Sequence, residues 1–315
     1  MNDVLFIKTS SLGDVIHHMP AVSDARRALP GAHFAWVVEE AFAPLARLHP
    51  DVDTVLPVAS RRWRKSLWSP ATLSEMWQSV SAMRAQRYDR IVDTQGLLRS
   101  AVFARLARGE RHGYDRASIR EPLASALYDV HHTVSRELHA VERNRRLTAM
   151  ALGYEMHGAP DYGLSRSRLS EPSPPYAVLL HATAQARKEW PVANWIALGQ
   201  LLAQGGLSVV LPWGNEAERR RSERIAASVP NARVPDRAPL DSVARLIAGA
   251  RCVVGVDTGL LHLAAALAVP LVAIFAGSQP RLTGPVGAGL MSVLGADGAP
   301  PTVDEVREAL RRVAS

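Results

Sequence analysis

Short apolar runs alternate with helical patterns in both halves of the chain, and this double alternation limits the fold more than any other feature. Strands that alternate with helices predict a parallel sheet with helices on both faces. Predicted strands are residues 4–7, 34–38 and 90–93 in the first half and 176–180, 207–211, 252–256 and 271–275 in the second. Helical patterns lie near residues 71–86, 97–107 and 138–152, besides a helix that follows the first strand through about residue 27. The fold class is therefore α/β, with two doubly wound Rossmann-like domains.

A Ser- and Pro-rich stretch, residues 165–175, separates the two alternations. Its composition is typical of a linker between domains. We predict a first domain over residues 1–164 and a second over 176–315, with the option that the last helix, near 303–313, packs back on the first domain. Because ligands of doubly wound sheets bind at the carboxyl ends of the strands, we expect the domains to face each other across a ligand cleft.

The balance of charges favours an anionic partner. A net charge of +7 suits phosphates, nucleic acid or a membrane surface, without choosing among them. The one cysteine, Cys252, lies in an apolar run, which excludes a disulfide framework and a multi-cysteine zinc site. The longest apolar stretch, residues 260–276, contains Pro270 and predicts a helix followed by a strand rather than a membrane span. The first residues do not resemble a signal peptide, so we expect a cytoplasmic protein.

The first candidate segment follows the first strand and opens a helix. It reads Lys8-Thr9-Ser10-Ser11-Leu12-Gly13-Asp14-Val15-Ile16. Gly13 permits close approach of the backbone, and the N–H groups at a helix N-terminus bind anions or sugar oxygens. Asp14 is a candidate general base. Because the helix dipole alone also favours Asp in a first turn, both explanations stay open. The segment lacks the glycines and lysine of a Walker loop.

A second candidate segment follows the strand at residues 252–256 and reads Asp257-Thr258-Gly259-Leu260-Leu261-His262. Thr258, Gly259 and the N–H groups after them could hold a diphosphate, and Asp257 could bind sugar hydroxyls. His262 lies one helical turn later and could reach the same ligand. A helix cap at Asp257 and a packed core histidine are equally good explanations.

A third candidate segment follows the strand that opens the second domain. It reads His181-Ala182-Thr183-Ala184-Gln185-Ala186-Arg187-Lys188-Glu189-Trp190-Pro191. Thr183 and Lys188 could contact phosphates, and Lys188 could neutralise charge on a leaving diphosphate. The alternative is a polar loop before a helix that starts near Pro191.

The fourth candidate segment is strongly basic and reads Arg61-Arg62-Trp63-Arg64-Lys65. It has four cations, an interleaved tryptophan and no acid close by in sequence. This pattern suits a phosphorylated glycolipid or an anionic membrane surface. No recognised nucleic-acid motif accompanies it, so we expect no nucleic-acid partner. A solvated, charged loop is the alternative.

Together and in this order, these segments resemble the lipopolysaccharide heptosyltransferases of glycosyltransferase family 9, most closely the type I members. The resemblance covers nearly the whole chain. Besides the segments above, it rests on Arg120-Glu121-Pro122-Leu123-Ala124-Ser125, His139-Ala140-Val141-Glu142-Arg143 and Leu211-Pro212-Trp213-Gly214. The basic segment separates type I members from type II members.

The resemblance implies a GT-B fold and transfer with inversion. The implied donor is ADP-L-glycero-β-D-manno-heptose, and the implied acceptor is the first Kdo sugar of Kdo2-lipid A. Asp14 corresponds to the proposed catalytic base, and Lys188 would assist departure of the diphosphate. The implied donor-site residues are Thr183, Lys188, Glu218, Asp257, Thr258, Gly259 and His262, with Glu218 at the ribose or adenine end. The implied acceptor-site residues are Ser10, Gly13, Arg61, Arg62, Arg64, Lys65, Arg120 and His139.

The resemblance also sets the expected partners. Neither a metal nor another cofactor is expected, because basic side chains and backbone dipoles would stabilise the leaving diphosphate. The protein is expected on the cytoplasmic face of the inner membrane as a peripheral protein. One departure is Ala184, where close relatives often carry a second hydroxyl residue. The alternatives are a type II enzyme that adds a later heptose, and a non-catalytic module that binds anionic glycolipids.

Overall fold

The computed structural model describes residues 2–183, 185–277 and 280–314. The chain forms two compact units, Met1–Leu164 and Ser165–Ser315. Each unit contains its own sheet, and all pairings between the named strands are parallel. The predicted α/β class with two doubly wound domains is therefore confirmed.

The sheet of the first unit has six strands. They are β1 (Asp3–Ile7), β2 (His33–Glu39), β3 (Thr54–Val58), β4 (Tyr88–Asp93), β5 (Gly109–Tyr114) and β6 (Val130–His132). Their order across the sheet is β3-β2-β1-β4-β5-β6. Because β1 lies between β2 and β4, the winding reverses between β1 and β4. Ligands of open α/β sheets bind at such a switch point, beyond the carboxyl ends of the strands.

The helices of the first unit follow the strands in alternation. They are α1 (Leu12–Ala28), α2 (Ala43–Ala46), α3 (Ser60–Trp63), α4 (Pro70–Arg84), α5 (Leu98–Leu106) and α6 (Ala140–Leu152), with 3₁₀ turns at Glu40–Phe42 and Pro122–Leu127. The helices predicted near 71–86, 97–107 and 138–152 are confirmed to within two residues at each end. Proline suits the first position of α4 because its missing N–H is not needed there. Helix α6 ends at Gly153, whose φ of 74° is the left-handed conformation that glycine adopts readily.

The second unit repeats this plan with five strands. They are β7 (Tyr176–Leu180), β8 (Ser208–Val210), β9 (Cys252–Val256), β10 (Leu271–Ile274) and β11 (Met291–Leu294), in the order β11-β10-β9-β7-β8. The helices are α7 (Arg166–Leu169), α8 (Val192–Gln204), α9 (Glu216–Ala226), α10 (Leu240–Gly249), α11 (Gly259–Ala266) and α12 (Val303–Ala314), with a 3₁₀ turn at Ala186–Lys188. The switch point of this sheet lies between β7 and β9.

The segment 165–175, predicted as a linker, is partly folded onto the second unit. Helix α7 contacts α10, and Leu169 is buried. The Arg166 guanidinium donates hydrogen bonds to the carbonyl oxygens of Ala248 (2.9 Å) and Ala250 (2.7 Å). One leucine and one arginine make these contacts. The other residues of the segment are mostly polar, so its composition did not predict the packing.

The last helix packs on the core of the second unit. Val306, Ala309, Leu310 and Val313 of α12 are buried in the same cluster as strands β9 and β10. The apolar stretch 260–276 forms α11 and β10, as predicted. No helix in the described part of the chain has the length and apolar character needed to cross a membrane.

A buried ion pair joins α1 to α6. The Nε of Arg145 lies 2.6 Å from Oδ2 of Asp24, and both side chains are 3% exposed. The same guanidinium donates to the carbonyl oxygens of His157 and Gly158, each at 3.1 Å. Because the hydrogen bonds around the pair are made, α1 and α6 are held together as one element.

Two buried histidines predict that stability falls in mild acid. Burial lowers the pKa of His49 in the first unit and of His181 in the second to about 4, from an ordinary value of 6.5. Above pH 6.5 neither the folded nor the unfolded chain protonates them. Between pH 6.5 and 4 only the unfolded chain protonates them. Each histidine should therefore lower the free energy of unfolding by up to about 3 kcal/mol as the pH falls across that window.

Urea unfolding at a series of pH values measures this slope. His49→Asn should flatten the slope between pH 6.5 and 5, whatever the stability of the variant at neutral pH. An unchanged slope would contradict the prediction for His49.

Candidate active site

The loop that leads into α1 is fixed by Gln95, which follows β4. The Oε1 of Gln95 accepts hydrogen bonds from the backbone N–H groups of Thr9 (2.8 Å) and Ser10 (3.1 Å). Its Nε2 donates to the carbonyl oxygen of Ser10. The Arg99 guanidinium donates to the Ser10 hydroxyl at 2.9 Å. Gln95 thus joins the segments after β1 and β4 at the switch point of the first sheet.

Asp14 lies in the first turn of α1 and closes the helix start. Its Oδ2 accepts hydrogen bonds from the backbone N–H and from the hydroxyl of Ser11, both at 2.8 Å. The capping explanation for Asp14 is therefore correct as geometry. Both bonds end on Oδ2, so Oδ1 takes no part in the cap. Asp14 is half-buried at the edge where ligands of such sheets bind.

Two buried charged groups lie beneath this edge. Lys8 is 6% exposed, and its Nζ donates to the carbonyl oxygen of Thr94 at 2.9 Å. Burial lowers the pKa of Lys8, and attraction from Asp14 and Asp93 opposes that shift. Burial raises the pKa of the Asp93 carboxyl, which accepts a hydrogen bond of 2.7 Å from the hydroxyl of Tyr128.

Three other predicted acceptor residues lie in α1 or near residues at this edge. Gly13 precedes it in the first turn of α1. Arg120 is exposed and contributes to the lowered pKa of Lys8, which places its charge near the switch point. His139 caps α6, accepting from the N–H of Val141 at 3.2 Å. Its ring lies 5.5 Å from that of His17 on α1.

The basic segment 61–65 differs from the prediction at Arg62. Its guanidinium pairs with Glu40, at 3.0 Å, and with Glu75, at 2.8 Å. The sequence shows no acid near this segment because both partners come from other parts of the chain. Arg61, Arg64 and Lys65 are exposed, and the Arg61 guanidinium lies 5.5 Å from the ring centre of Phe42. Three exposed cations therefore remain at this surface.

The predicted donor residues Thr183, Lys188 and Asp257 meet at the switch point of the second sheet. The Thr183 hydroxyl, after β7, donates to the carbonyl oxygen of Asp257, after β9, at 3.1 Å. The Lys188 Nζ lies 2.5 Å from Oδ2 of Asp257. The two side chains are 20% and 12% exposed, so the pair is accessible from solvent on one side only.

The start of α11 lies beside this ion pair. Thr258 is its N-cap and Gly259 its first residue, so N–H groups of the first turn point toward the same edge of the sheet. His262 lies in the next turn and is 6% exposed. A helix start next to a lysine is a suitable site for a diphosphate.

Glu218 is part of a cap after β8, next to β7 in the sheet. Its Oε2 accepts from the N–H of Gly214 and its Oε1 from the side-chain amide of Asn215, both at 2.7 Å. Asn215 caps α9 in return by accepting from the N–H of Glu218 at 3.1 Å. The residue lies at the same edge as the ion pair, one strand further along.

The turn that carries Lys188 packs against Gly277, after β10. A Cβ on Gly277 would collide with the backbone carbonyl of Arg187, whose guanidinium donates to the Gly277 carbonyl. A side chain at position 277 would therefore displace this turn. Ala184, the departure noted in the sequence, lies outside the described residues.

Sequence reasoning did not single out Gln95, Asp93 or Arg99. The signal was present for the first two, because Asp93-Thr94-Gln95-Gly96 is a polar run that begins at the last residue of a predicted strand. The part of the chain that the structure describes contains no group of three or more His, Cys, Asp or Glu side chains placed to hold a metal ion. The carboxyl edge of the first sheet thus carries a carboxylate near cationic side chains. The carboxyl edge of the second sheet carries a lysine beside a helix start.

Known proteins resemble this chain over almost its whole length. The model of glycosyltransferase family 9 (heptosyltransferase) matches residues 76–310. Lipopolysaccharide heptosyltransferase 1 of Pseudomonas aeruginosa is 48% identical over 288 residues, which cover 90% of this chain and 81% of the relative. Lipopolysaccharide heptosyltransferase 2 of Escherichia coli is 30% identical over only 41% of this chain.

Solved structures give the same result. The E. coli heptosyltransferase WaaC with ADP has a TM-score of 0.93 and 40% identity, with 99% of this chain and 100% of that chain covered. The structure of the same enzyme with ADP-2-deoxy-2-fluoro heptose has a TM-score of 0.90 and 40% identity, with 98% and 99% covered.

Proposed function

Since the chain belongs to glycosyltransferase family 9, the heptosyltransferases, we propose that it transfers L-glycero-D-manno-heptose from ADP-heptose to the first Kdo sugar of Kdo2-lipid A. The GT-B fold expected from the sequence agrees with the two doubly wound units. The observation that carries the proposal is the meeting of Thr183, Lys188 and Asp257 at the switch point of the second sheet. The similar E. coli enzyme was solved with ADP-2-deoxy-2-fluoro heptose.

On the donor side, the diphosphate would lie at the start of α11 and beside Lys188. The N–H groups at this helix end and the ammonium group supply positive charge where negative charge develops as the sugar leaves. Asp257 would bind heptose hydroxyls, and Glu218 the ribose or adenine. Thr258, Gly259 and His262 complete the proposed donor site.

On the acceptor side, Asp14 would act as the general base. It would take the proton from the Kdo hydroxyl that attacks the anomeric carbon, while the bond from that carbon to the diphosphate breaks. Attack from the face opposite the diphosphate inverts the configuration. Arg61, Arg64, Lys65 and Arg120 would hold the carboxylates and phosphates of the acceptor.

Turnover of ADP-heptose with purified Kdo2-lipid A tests this function. A type II enzyme would need an acceptor that already carries a heptose, and a non-catalytic glycolipid-binding module would release no ADP. The long matches to type 1 relatives favour the first of these three functions. A peripheral position on the cytoplasmic face of the inner membrane is part of the proposal, and the net charge of +7 supports it.

We expect activity to persist in EDTA. Lys188 and the start of α11 can stabilise the leaving diphosphate without a divalent cation. Initial rates with and without chelator should agree within about twofold. By comparison, loss of an essential charge stabiliser lowers the rate about a hundredfold. Complete loss of activity in EDTA, restored by magnesium or manganese, would show that a metal is required.

Arg61→Ala combined with Arg64→Ala should raise the acceptor KM about tenfold or more. Each charged hydrogen bond to a carboxylate or phosphate contributes about 1.5–3 kcal/mol, so two losses exceed one factor of ten. The donor KM should change little. The wild-type acceptor KM should also rise with salt, because exposed charges are screened over about 8–10 Å.

Steady-state kinetics with a soluble, deacylated acceptor measure this effect without a membrane. The matched control is Arg84→Ala combined with Arg87→Ala, which removes the same charge near the other end of α4. If both double variants keep the wild-type KM, the basic segment does not bind the acceptor.

A further inference from the structure

An apolar groove of about 500 Å³ runs along the first unit, outside the residues assigned above to donor or base. Helices α4 and α5 form its walls with Val80, Met83, Val102 and Phe103, and Leu67 borders it from the segment after α3. Leu67 is 45% exposed and Val102 is 44% exposed. Contiguous exposed apolar side chains are a feature of ligand-binding grooves.

More exposed apolar side chains neighbour the groove residues in the sequence. Seven of the ten large apolar side chains that are exposed in the described part of the chain lie between residues 67 and 123, including Trp68 (90%) and Trp77 (71%).

One end of the groove reaches the proposed acceptor site. Arg99 lines the groove, and its guanidinium donates to the Ser10 hydroxyl in the loop that leads into α1. Arg64 lines it as well, from the basic segment. The polar lining also includes Glu121, whose carboxylate accepts from the backbone N–H of Leu98 at 2.7 Å. A ligand with an anionic group near Arg64 and Arg99 could therefore place an apolar tail in the groove.

We propose that this groove binds an acyl chain of the acceptor glycolipid. The inference rests on the proposed function, because it takes the acceptor to be an anionic amphiphile. The apolar walls match a hydrocarbon chain, and the two guanidinium groups match the anionic groups to which such a chain is joined. The groove would thus bind the lipid part of the molecule whose sugar is modified at the neighbouring edge.

Binding of alkyl phosphates tests the groove without any turnover. Inorganic phosphate and butyl, octyl and dodecyl phosphate, each below its micelle concentration, are titrated into the full chain by calorimetry. Affinity should rise with chain length, by up to about fourfold for each methylene that becomes buried. Val102→Asp should abolish this dependence because it places a charge in the groove, and Val102→Trp should weaken it by filling the space.

The matched control is Met150→Asp, which puts the same charge at a 49% exposed apolar position of α6, outside the groove lining. This variant should keep the wild-type dependence on chain length. Thermal unfolding shows whether each variant is folded. An affinity that is independent of chain length in the wild type, or an equal loss in Met150→Asp, would overturn the proposal.

Kinetics then identify the occupant. A soluble acceptor that carries one short acyl chain should have a KM at least tenfold below that of its fully deacylated counterpart, and Val102→Asp should remove this advantage. If both acceptors are turned over with equal KM, the inference fails and the proposed function stands. If neither acceptor is turned over while alkyl phosphates bind with chain-length dependence, the proposed function fails. The groove then has a different lipid as its ligand, and the inference about the acceptor is overturned as well.

Discussion

Asp14→Asn should lower kcat by roughly two orders of magnitude or more, the usual scale for losing a general base. Asparagine has nearly the same shape, and its side-chain oxygen can still accept the hydrogen bonds that Ser11 donates to Oδ2. The helix cap should therefore survive, while the ability to take a proton is lost. Donor affinity should stay within about threefold of the wild-type value, because no proposed donor residue belongs to the first unit. A threefold change corresponds to less than the roughly 1.4 kcal/mol of a tenfold change.

Steady-state kinetics with saturating donor check this expectation. Ser11→Ala is the matched control, since it weakens the same cap and leaves the carboxylate in place. If Asp14 is only a capping residue, Ser11→Ala and Asp14→Asn will affect kcat to a similar, small extent. A large loss confined to Asp14→Asn, with an unchanged melting temperature, separates the catalytic role from the capping role.

Lys188→Met should lower kcat by about a hundredfold to a thousandfold, comparable to removing one preorganised charge stabiliser from an active site. The positive charge matters most when the diphosphate departs, so kcat should fall more than the donor KM rises. The ion pair with Asp257 holds the Lys188 Nζ at 2.5 Å from that carboxylate before any ligand arrives. Methionine keeps most of the length of the side chain and removes the ammonium group.

Single-turnover rates and donor binding should be measured together for this variant. Arg224→Met removes one exposed positive charge from α9 of the same unit and serves as the control for net charge. A Lys188→Met enzyme with weak donor binding but normal kcat would show that Lys188 only binds the donor and gives no further stabilisation to the transition state.

The sequence predicted most strands that are buried on both faces, because an uninterrupted apolar run is a clear signal. Strands β7 and β9 begin and end where the pattern placed them. Strands β3, β5, β6 and β11 were not predicted. Strands β3, β6 and β11 are edge strands of their sheets. Strand β5 lies next to β6 and is largely polar, since it reads Gly-Glu-Arg-His-Gly-Tyr. Strands pair through their backbone, so the side chains of a strand at or near an edge need not be apolar.

The sequence predicted the site residues that directly follow a strand. It did not predict contacts with residues that are distant in the sequence. Candidate residues directly after strands lie at the switch points, because parallel strands bring all their carboxyl ends to one edge. The partners of Arg62 could not be found in this way, since Glu40 lies 22 residues before it and Glu75 lies on α4. For the same reason, the approach of Arg99 to Ser10, 89 residues away, required the structure.

The buried Asp24–Arg145 pair limits how this sequence can change over generations. Replacing one partner leaves an uncompensated buried charge, which costs about 3–5 kcal/mol, whereas replacing both with apolar residues of similar volume is often neutral. A lineage that loses the pair must therefore change both positions almost together or pass through a poorly folded ancestor. Positions 24 and 145 should covary among descendants, and their helices begin next to Asp14 and His139.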